Sequence, residues 1–338
     1  MTHSVTLSDQ TTFSVRKHET ILAAAERQNL NLPHSCKSGF CGQCKAELIS
    51  GKAVMKEHSG KALTQEEEAQ GKILMCCATL ESNSEINIPN YSGHETLPVR
   101  TLPARVSSIT FKHDVAILKL TLPKAPTFVF QAGQYINLLL PGNISRSYSL
   151  ANSPADNNMI ELHIRKRTNG ICSNMIFSDM PSVKPQSIVR FKGPLGTFPT
   201  LSKPNRPLIL LATGTGYAPI RSMLLKLIRL NTNREVHFYW GARKADDLYA
   251  PEEAAELISR LQNSTFTPVL SQPDHNWNGL RGYVQHAAAQ DHTDMSGYDV
   301  YACGSEKMIT AAQDFLCQQC SLNQDAFSSD IFNAAPPE

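Results

Sequence analysis

The chain has 338 residues, 41% of them hydrophobic and 18% charged, with a formal net charge of +2. That length suits two or three cores, and the composition is that of a globular protein rather than a disordered or fibrous one. With no basic stretch or face, no basic leader followed by an apolar run and no apolar segment near the roughly 18–20 residues that span a bilayer, nucleic-acid and membrane roles are excluded and a cytoplasmic location is expected.

The first ninety residues predict a small β-rich unit. Strands are expected over 4–8 and 12–16, joined by a turn at Ser8-Asp9-Gln10. A helix follows from about Thr20, with apolar residues at Ile21, Leu22, Ala24, Ala25 and Leu30, and then a Cys/Gly/Ser loop over 35–44 and a strand over 45–50. Four of the nine cysteines fall here in the pattern Cys36-x4-Cys41-x2-Cys44, with Cys76 further on. This is the plant-type [2Fe-2S] spacing. Two irons need four thiolates, and three of them come from one tightly wrapped loop, where Gly39 and Gly42 with Ser35 and Ser38 let the backbone bring N–H groups close to sulfur. A zinc site would favour paired Cys-x2-Cys units over a lone Cys76. Cys77 competes with Cys76 as the fourth ligand; the register Ile73-Leu74-Met75-Cys76 favours Cys76. Residues 1 to about 92 resemble a plant-type ferredoxin domain, which implies a β-grasp fold.

The stretch YSGHETLPVR, residues 91–100, has no period and contains Gly and Pro, the marks of a linker. Strands over 104–106, 116–122, 135–140, 146–150, 160–165 and 188–191, with short gaps between them, predict an antiparallel barrel. On one strand lies Arg146-Ser147-Tyr148-Ser149. An Arg there can hold a phosphate bidentately, a Tyr can cover a flavin face and a Ser can reach a ring nitrogen. Then Gly170-Ile171-Cys172-Ser173 stands at an expected helix start and offers N–H groups to the other side of a pyrophosphate.

The last third alternates strand and helix: a strand over 207–212, a helix over 218–230, a strand over 235–241, a helix from Pro251, a strand over 298–303 and a helix over 306–319. This predicts an open, mostly parallel sheet. Thr213-Gly214-Thr215-Gly216-Tyr217-Ala218-Pro219 joins the first strand to its helix, where glycines admit a pyrophosphate and the helix start favours its charge. Pro219 replaces the last Gly of the usual fingerprint and is tolerated in a first helical turn. Cys303-Gly304 ends a later strand, at the carboxyl edge where ligands bind. After the second strand, Arg243 and Lys244 lean towards a 2′-phosphate while Asp246 and Asp247 stand close by, which leaves NADH or NADPH open. Cys317-x2-Cys320 has no thioredoxin-like context and is expected to be structural. There is no Cys-x-His pair, hence no Rieske-type ligand set in this chain.

Taken together, RSYSLAN, ELHIR, the Gly-x-Gly-x-x-Pro turn, YWGARKADDLY and the Phe-rich tail resemble the ferredoxin–NADP reductase type of electron-transfer component. The likeness is to benzoate and terephthalate dioxygenase reductases, and also to CDP-6-deoxy-glucoseen reductase. The resemblance implies three domains: ferredoxin over 1–92, a linker over 93–100, an FAD-binding barrel over 101–203, and an NAD(P)-binding α/β domain over 204–338. It implies that Arg146 binds FAD phosphate, Tyr148 stacks on the isoalloxazine and Ser149 approaches N5. His163, Ile164 and Arg165 would line the phosphate and adenosine side. Cys303 would lie beside the nicotinamide, Phe332 would shield the flavin's second face and Asp330 would sit at its edge. Hydride would pass from NAD(P)H to FAD and electrons leave singly through the cluster. The expected acceptor is the oxygenase of a multicomponent, aromatic-ring-hydroxylating system, docking near the cluster. A sugar dehydrase is the alternative acceptor, and a non-enzymatic redox sensor or binding module the alternative from another class.

Overall fold

A computed structural model describes residues 2–89, 91, 97–156, 158–196 and 206–332, and the chain forms two compact units. Most of the expected linker lies outside the described residues.

The first unit holds residues 1–100 with a short return segment, 194–197. Its strands are β1 (Thr2–Leu7), β2 (Thr12–Arg16), β3 (Lys45–Ser50), β4 (Ala53–Met55), β5 (Lys72–Leu74), β6 (Ala78–Leu80) and β7 (Ser84–Asn87). Five form one sheet in the order β2-β1-β7-β3-β5, with β1 and β7 parallel; β4 and β6 pair separately. The hairpin alternates as its sequence demands, burying Phe13 and Val15 of β2. Helix α1 (Ile21–Arg27) is capped by the Thr20 hydroxyl, which accepts from Ala23 N–H, and it buries Ile21, Leu22, Ala24 and Ala25 against the sheet. Helix α2 (Gln65–Ala69) carries a capping box in which Thr64 and Glu67 satisfy one another's backbone N–H groups.

The second unit opens with β8 (Arg100–Lys112), β9 (Val115–Thr121), β10 (Tyr135–Leu140), β11 (Ile144–Ser149), β12 (Met159–Arg165) and β13 (Ile188–Leu195), with helix α3 (Ile171–Phe177) after β12. The sheet order is β11-β10-β13-β8-β9-β12, and an antiparallel bridge between Leu150 and Leu162 joins its two ends into a barrel. The interior is filled by Val106, Leu118, Ile136, Leu138, Leu162, Ile164 and Phe191. β8 is far longer than the three residues expected, because its buried-exposed alternation runs through Val106 and continues past a bulge into a more exposed extension.

The remainder of this unit contains β14 (Leu208–Thr213), α4 (Tyr217–Arg229), β15 (Val236–Ala242), α5 (Pro251–Ser259), β16 (Thr265–Leu270), β17 (Leu280–Arg281), α6 (Val284–Asp291), β18 (Asp299–Gly304), α7 (Glu306–Gln319) and β19 (Phe327–Ile331). All six strands are parallel, in the order β17-β16-β15-β14-β18-β19. The chain therefore builds outward from β14 in one direction and then returns to lay β18 on its other side. The gap between the carboxyl ends of β14 and β18 is the topological switch point, where open α/β sheets bind ligands. Among the described residues no helix is long and apolar enough to cross a membrane.

Candidate functional site

The loop over 35–44 has almost no regular structure, and its shape follows from its residues. Lys37, Gly39 and Gly42 all take positive φ, and this curls the backbone around one sulfur. The N–H groups of Ser38, Phe40 and Cys41 point at Cys36 Sγ from 3.5, 3.3 and 3.3 Å. Only glycine fits at 39: a Cβ there would stand 2.6 Å from Cys77 Sγ and 2.8 Å from the His58 side chain. The four expected ligands gather as two pairs, with the Cys36 and Cys41 thiols in contact and those of Cys44 and Cys76 in contact. Among the described residues no three His, Cys, Asp or Glu side chains converge as a site for a single ion. Two thiol pairs with backbone donors aimed at sulfur are what two irons sharing bridging sulfides require, so these residues fit a [2Fe-2S] group.

In the barrel, β11 carries Arg146-Ser147-Tyr148-Ser149. Ser147 faces away and donates to Asn137 Oδ1 at 2.8 Å, while Arg146 donates to the neighbouring Ser145 carbonyl at 3.0 Å. Tyr148 packs partly into the barrel, and burial pushes its phenol well above the usual range. Its hydroxyl meets the Cys172 thiol on α3, so the two expected flavin segments come together. Gly170 is the N-cap of α3, and no side chain caps the first turn over Ile171, Cys172 and Ser173; Ser173 Oγ instead accepts from Arg167 N–H at 2.8 Å.

Ser149 is buried, and its hydroxyl donates to Asp330 Oδ2 at 3.2 Å across 181 residues. The contact exists because β19 pairs in parallel with β18, setting Cys303 opposite Asp330. Cys303 is fully buried, and this holds its thiol well above the ordinary range. Phe332 N–H donates to the Gly304 carbonyl at 2.8 Å, which fixes the start of the tail; residues 333–338 lie outside the described ones.

At the switch point the two expected nucleotide segments touch. A Cβ at Gly216 would overlap the Cys303 carbonyl, so only glycine lets the turn after β14 lie against the end of β18. Thr213 ends β14, Thr215 lies in the turn, and Pro219 is buried in the first turn of α4. Trp240 Nε1 donates to the Gly214 carbonyl at 3.1 Å, and its ring stacks on Tyr217 with centroids 4.4 Å apart. Arg243 is largely exposed and stands 4.0 Å from Asp247, so the base and the acid that left the nucleotide preference open are neighbours.

The triplet on β12 divides by alternation. Ile164 is in the barrel core, whereas His163 and Arg165 turn towards the nucleotide half. His163 Nδ1 lies 2.7 Å from the Tyr249 hydroxyl and its Nε2 lies 3.0 Å from Glu161 Oε1. Arg165 pairs with Asp114 at 3.1 Å, donates to the Asp247 carbonyl at 3.3 Å, and lies over the Gly214 turn. Around them is a network that the motifs did not signal. Arg221 on α4 donates to the Ala151 carbonyl at 2.8 Å and pairs with Glu253 at 2.8 Å and Glu161 at 3.4 Å; Ser222 donates to the Asn152 carbonyl at 2.7 Å. Burial works against the Glu161 charge, but the hydrogen bond with His163 and the nearby Arg221 and Lys119 charges outweigh it and bring its pKa down to about 2. Cys317 and Cys320, on and just after α7, are free thiols in this structure.

Three family models match the chain: a 2Fe-2S iron-sulfur cluster binding domain over residues 5–81, an oxidoreductase FAD-binding domain over 104–199 and an oxidoreductase NAD-binding domain over 210–314. The chain is 42% identical over 315 residues to a CDP-6-deoxy-L-threo-D-glycero-4-hexulose-3-dehydrase reductase of Yersinia pestis, covering 93% of each. It is 33% identical to the reductase component of a phenol 2-monooxygenase from a Pseudomonas species, covering 99% of this chain and 96% of the relative. A solved cytochrome P450 reductase from Amycolatopsis superposes with a TM-score of 0.80 at 28% identity, covering 98% of this chain and 99% of the other. With thiols paired for two irons, a flavin barrel and a nucleotide turn at the switch point, the chain belongs to the family of NAD(P)H-dependent electron-transfer reductases that carry FAD and a [2Fe-2S] cluster.

Proposed function

We propose that this reductase delivers its electrons to a dehydrase acting on a CDP-linked 6-deoxy-hexulose. The 42% identity to a reductase of that name, over 93% of both chains, carries this reading and sets the sugar dehydrase ahead of the oxygenase expected from sequence motifs. The oxygenase remains the second reading, supported by the phenol 2-monooxygenase reductase component at 33% identity over nearly the full length.

The bound cofactors supply the redox chemistry: a two-electron donor, a flavin that can pass electrons on one at a time, and a one-electron cluster. The chain's own residues bind and align them. In this reading Arg146 and the first turn of α3 hold the flavin's phosphates, and Tyr148 covers one face of its ring. Gly214, Gly216 and Pro219 shape the nucleotide's pyrophosphate seat, and Cys303 with Gly304 borders the nicotinamide. Ser149, oriented by Asp330, holds a hydroxyl at the reacting edge, and Phe332 closes the second face. Cys36, Cys41, Cys44 and Cys76 ligate the irons. The acceptor docks near the cluster through a small, transient surface.

Anaerobic titration of the visible spectrum with NADH and then NADPH tests the donor half and identifies the preferred nucleotide. Bleaching of the flavin bands followed by loss of iron–sulfur absorbance is the expected result. The acceptor is tested by supplying, in separate reactions, a purified CDP-hexulose dehydrase and an aromatic oxygenase component. Deoxygenated sugar formed at the expense of NAD(P)H supports the first reading; turnover with the oxygenase alone replaces it with the second.

A further inference from the structure

Cys77 belongs to no motif, yet it is buried beside the cluster loop, only 5% exposed. Its Sγ lies 3.6 Å from Cys76 Sγ and 3.7 Å from the Glu57 carbonyl. The backbone fixes it there: Cys77 N–H donates to the Leu74 carbonyl at 2.8 Å, and Lys56 N–H donates to the Cys77 carbonyl at 2.9 Å. The loop closes over the thiol so tightly that a side chain at Gly39 would collide with it.

We propose that Cys77 is a positioning residue for the cluster, its thiol donating an S–H···S hydrogen bond to the Cys76 sulfur and so raising the cluster's reduction potential. The proposal rests on the reading of Cys76, not Cys77, as the fourth ligand. Cys77 is not one of the four ligands in that reading, so its sulfur carries the thiol hydrogen that can be donated. A metal-bound thiolate has none to give and carries negative charge, so of the two acceptors within reach the sulfur is favoured over the neutral carbonyl. Hydrogen bonds to cluster sulfurs stabilise the reduced, more negative state. Cys36 receives three such bonds from backbone, and Cys76 already has the Gly39 N–H directed at it. The Cys77 thiol adds a side-chain donor on the pair that Cys44 and Cys76 form.

The test uses the full-length holoprotein with Cys77→Ala and Cys77→Ser. Iron content, the electron paramagnetic resonance signal of the reduced cluster and its midpoint potential by spectroelectrochemistry are measured for each. Both variants are expected to keep the iron content and signal of the parent. Cys77→Ala shifts the potential to a more negative value, and Cys77→Ser, whose hydroxyl also donates, returns it towards that of the parent. An unchanged potential in Cys77→Ala overturns the proposal, as does a Cys77→Ser potential as low as that of the Ala variant. Loss of iron in either variant also overturns it, and reassigns Cys77 as a ligand. A parent protein that binds no cluster would instead contradict the ligand reading, a result distinct from all of these.

Discussion

Ser149 shows how little of a working site a single residue states by itself. In sequence it is one hydroxyl at the end of a four-residue motif. In the fold it is buried and directed by a carboxylate that lies 181 positions away. If that hydroxyl steadies the reacting edge of the flavin, Ser149→Ala removes one hydrogen bond worth about 0.5–1.5 kcal/mol, and the rate of flavin reduction by NAD(P)H in a stopped-flow experiment falls about 2- to 13-fold. Flavin content should stay unchanged, because Arg146 and α3, the proposed phosphate holders, are untouched. The cysteine pattern was legible because Cys36, Cys41 and Cys44 sit within nine positions, where spacing carries the geometry. Arg221, Glu161 and Tyr249 were not. Each is an ordinary polar residue, and the contacts that join the network, Arg221 with Glu161 and His163 with Tyr249, span 60 and 86 positions of the chain.

Several elements were read closely. β3, β10 and α7 fall at the expected positions, and α4 begins one residue before the expected start. Helix α2 was missed for a physical reason. Five residues make less than two turns, so α2 presents no apolar stripe, and its evidence in sequence is only the Thr64/Glu67 box. That box stabilises the turn leading into β5. Glu67 also pairs with Lys45 at 2.6 Å and Lys72 at 3.3 Å, tying the helix to β3 and β5. Thr64→Ala should therefore destabilise the first unit by about 1 kcal/mol, read as a lower denaturation midpoint of the iron–sulfur absorbance with flavin absorbance unaffected. β16 was obscured by Pro268, which a central parallel strand rarely carries.

For the larger unit as a whole, the barrel and the parallel sheet are joined by a buried charged network centred on Glu161. Glu161→Gln removes the negative charge that Arg221 and His163 share and should cost about 3 kcal/mol in chemical denaturation near neutral pH. The pH dependence has a definite sign. A carboxylate lowered to about 2 in the folded state, against the usual 4.5, contributes fully above about 4.5 and progressively less as pH falls towards 2. The gap in stability between parent and Glu161→Gln should accordingly narrow through that window. Fold class was open to sequence reading because strand periodicity and glycine turns are local; this network was not, because it exists only once the chain has folded back on itself.

The pairing of β19 with β18 also bears on how incomplete copies of the protein would behave. A polypeptide released before residue 327 would hold the four proposed cysteine ligands, both proposed flavin segments and the glycine turn after β14, and its barrel and five remaining parallel strands could still assemble. It would lack the carboxylate that faces Ser149 and the backbone anchor at Gly304. Truncated or clipped molecules would thus be coloured and able to take up cofactors yet poorly coupled, which makes absorbance a weak measure of intact enzyme in a preparation.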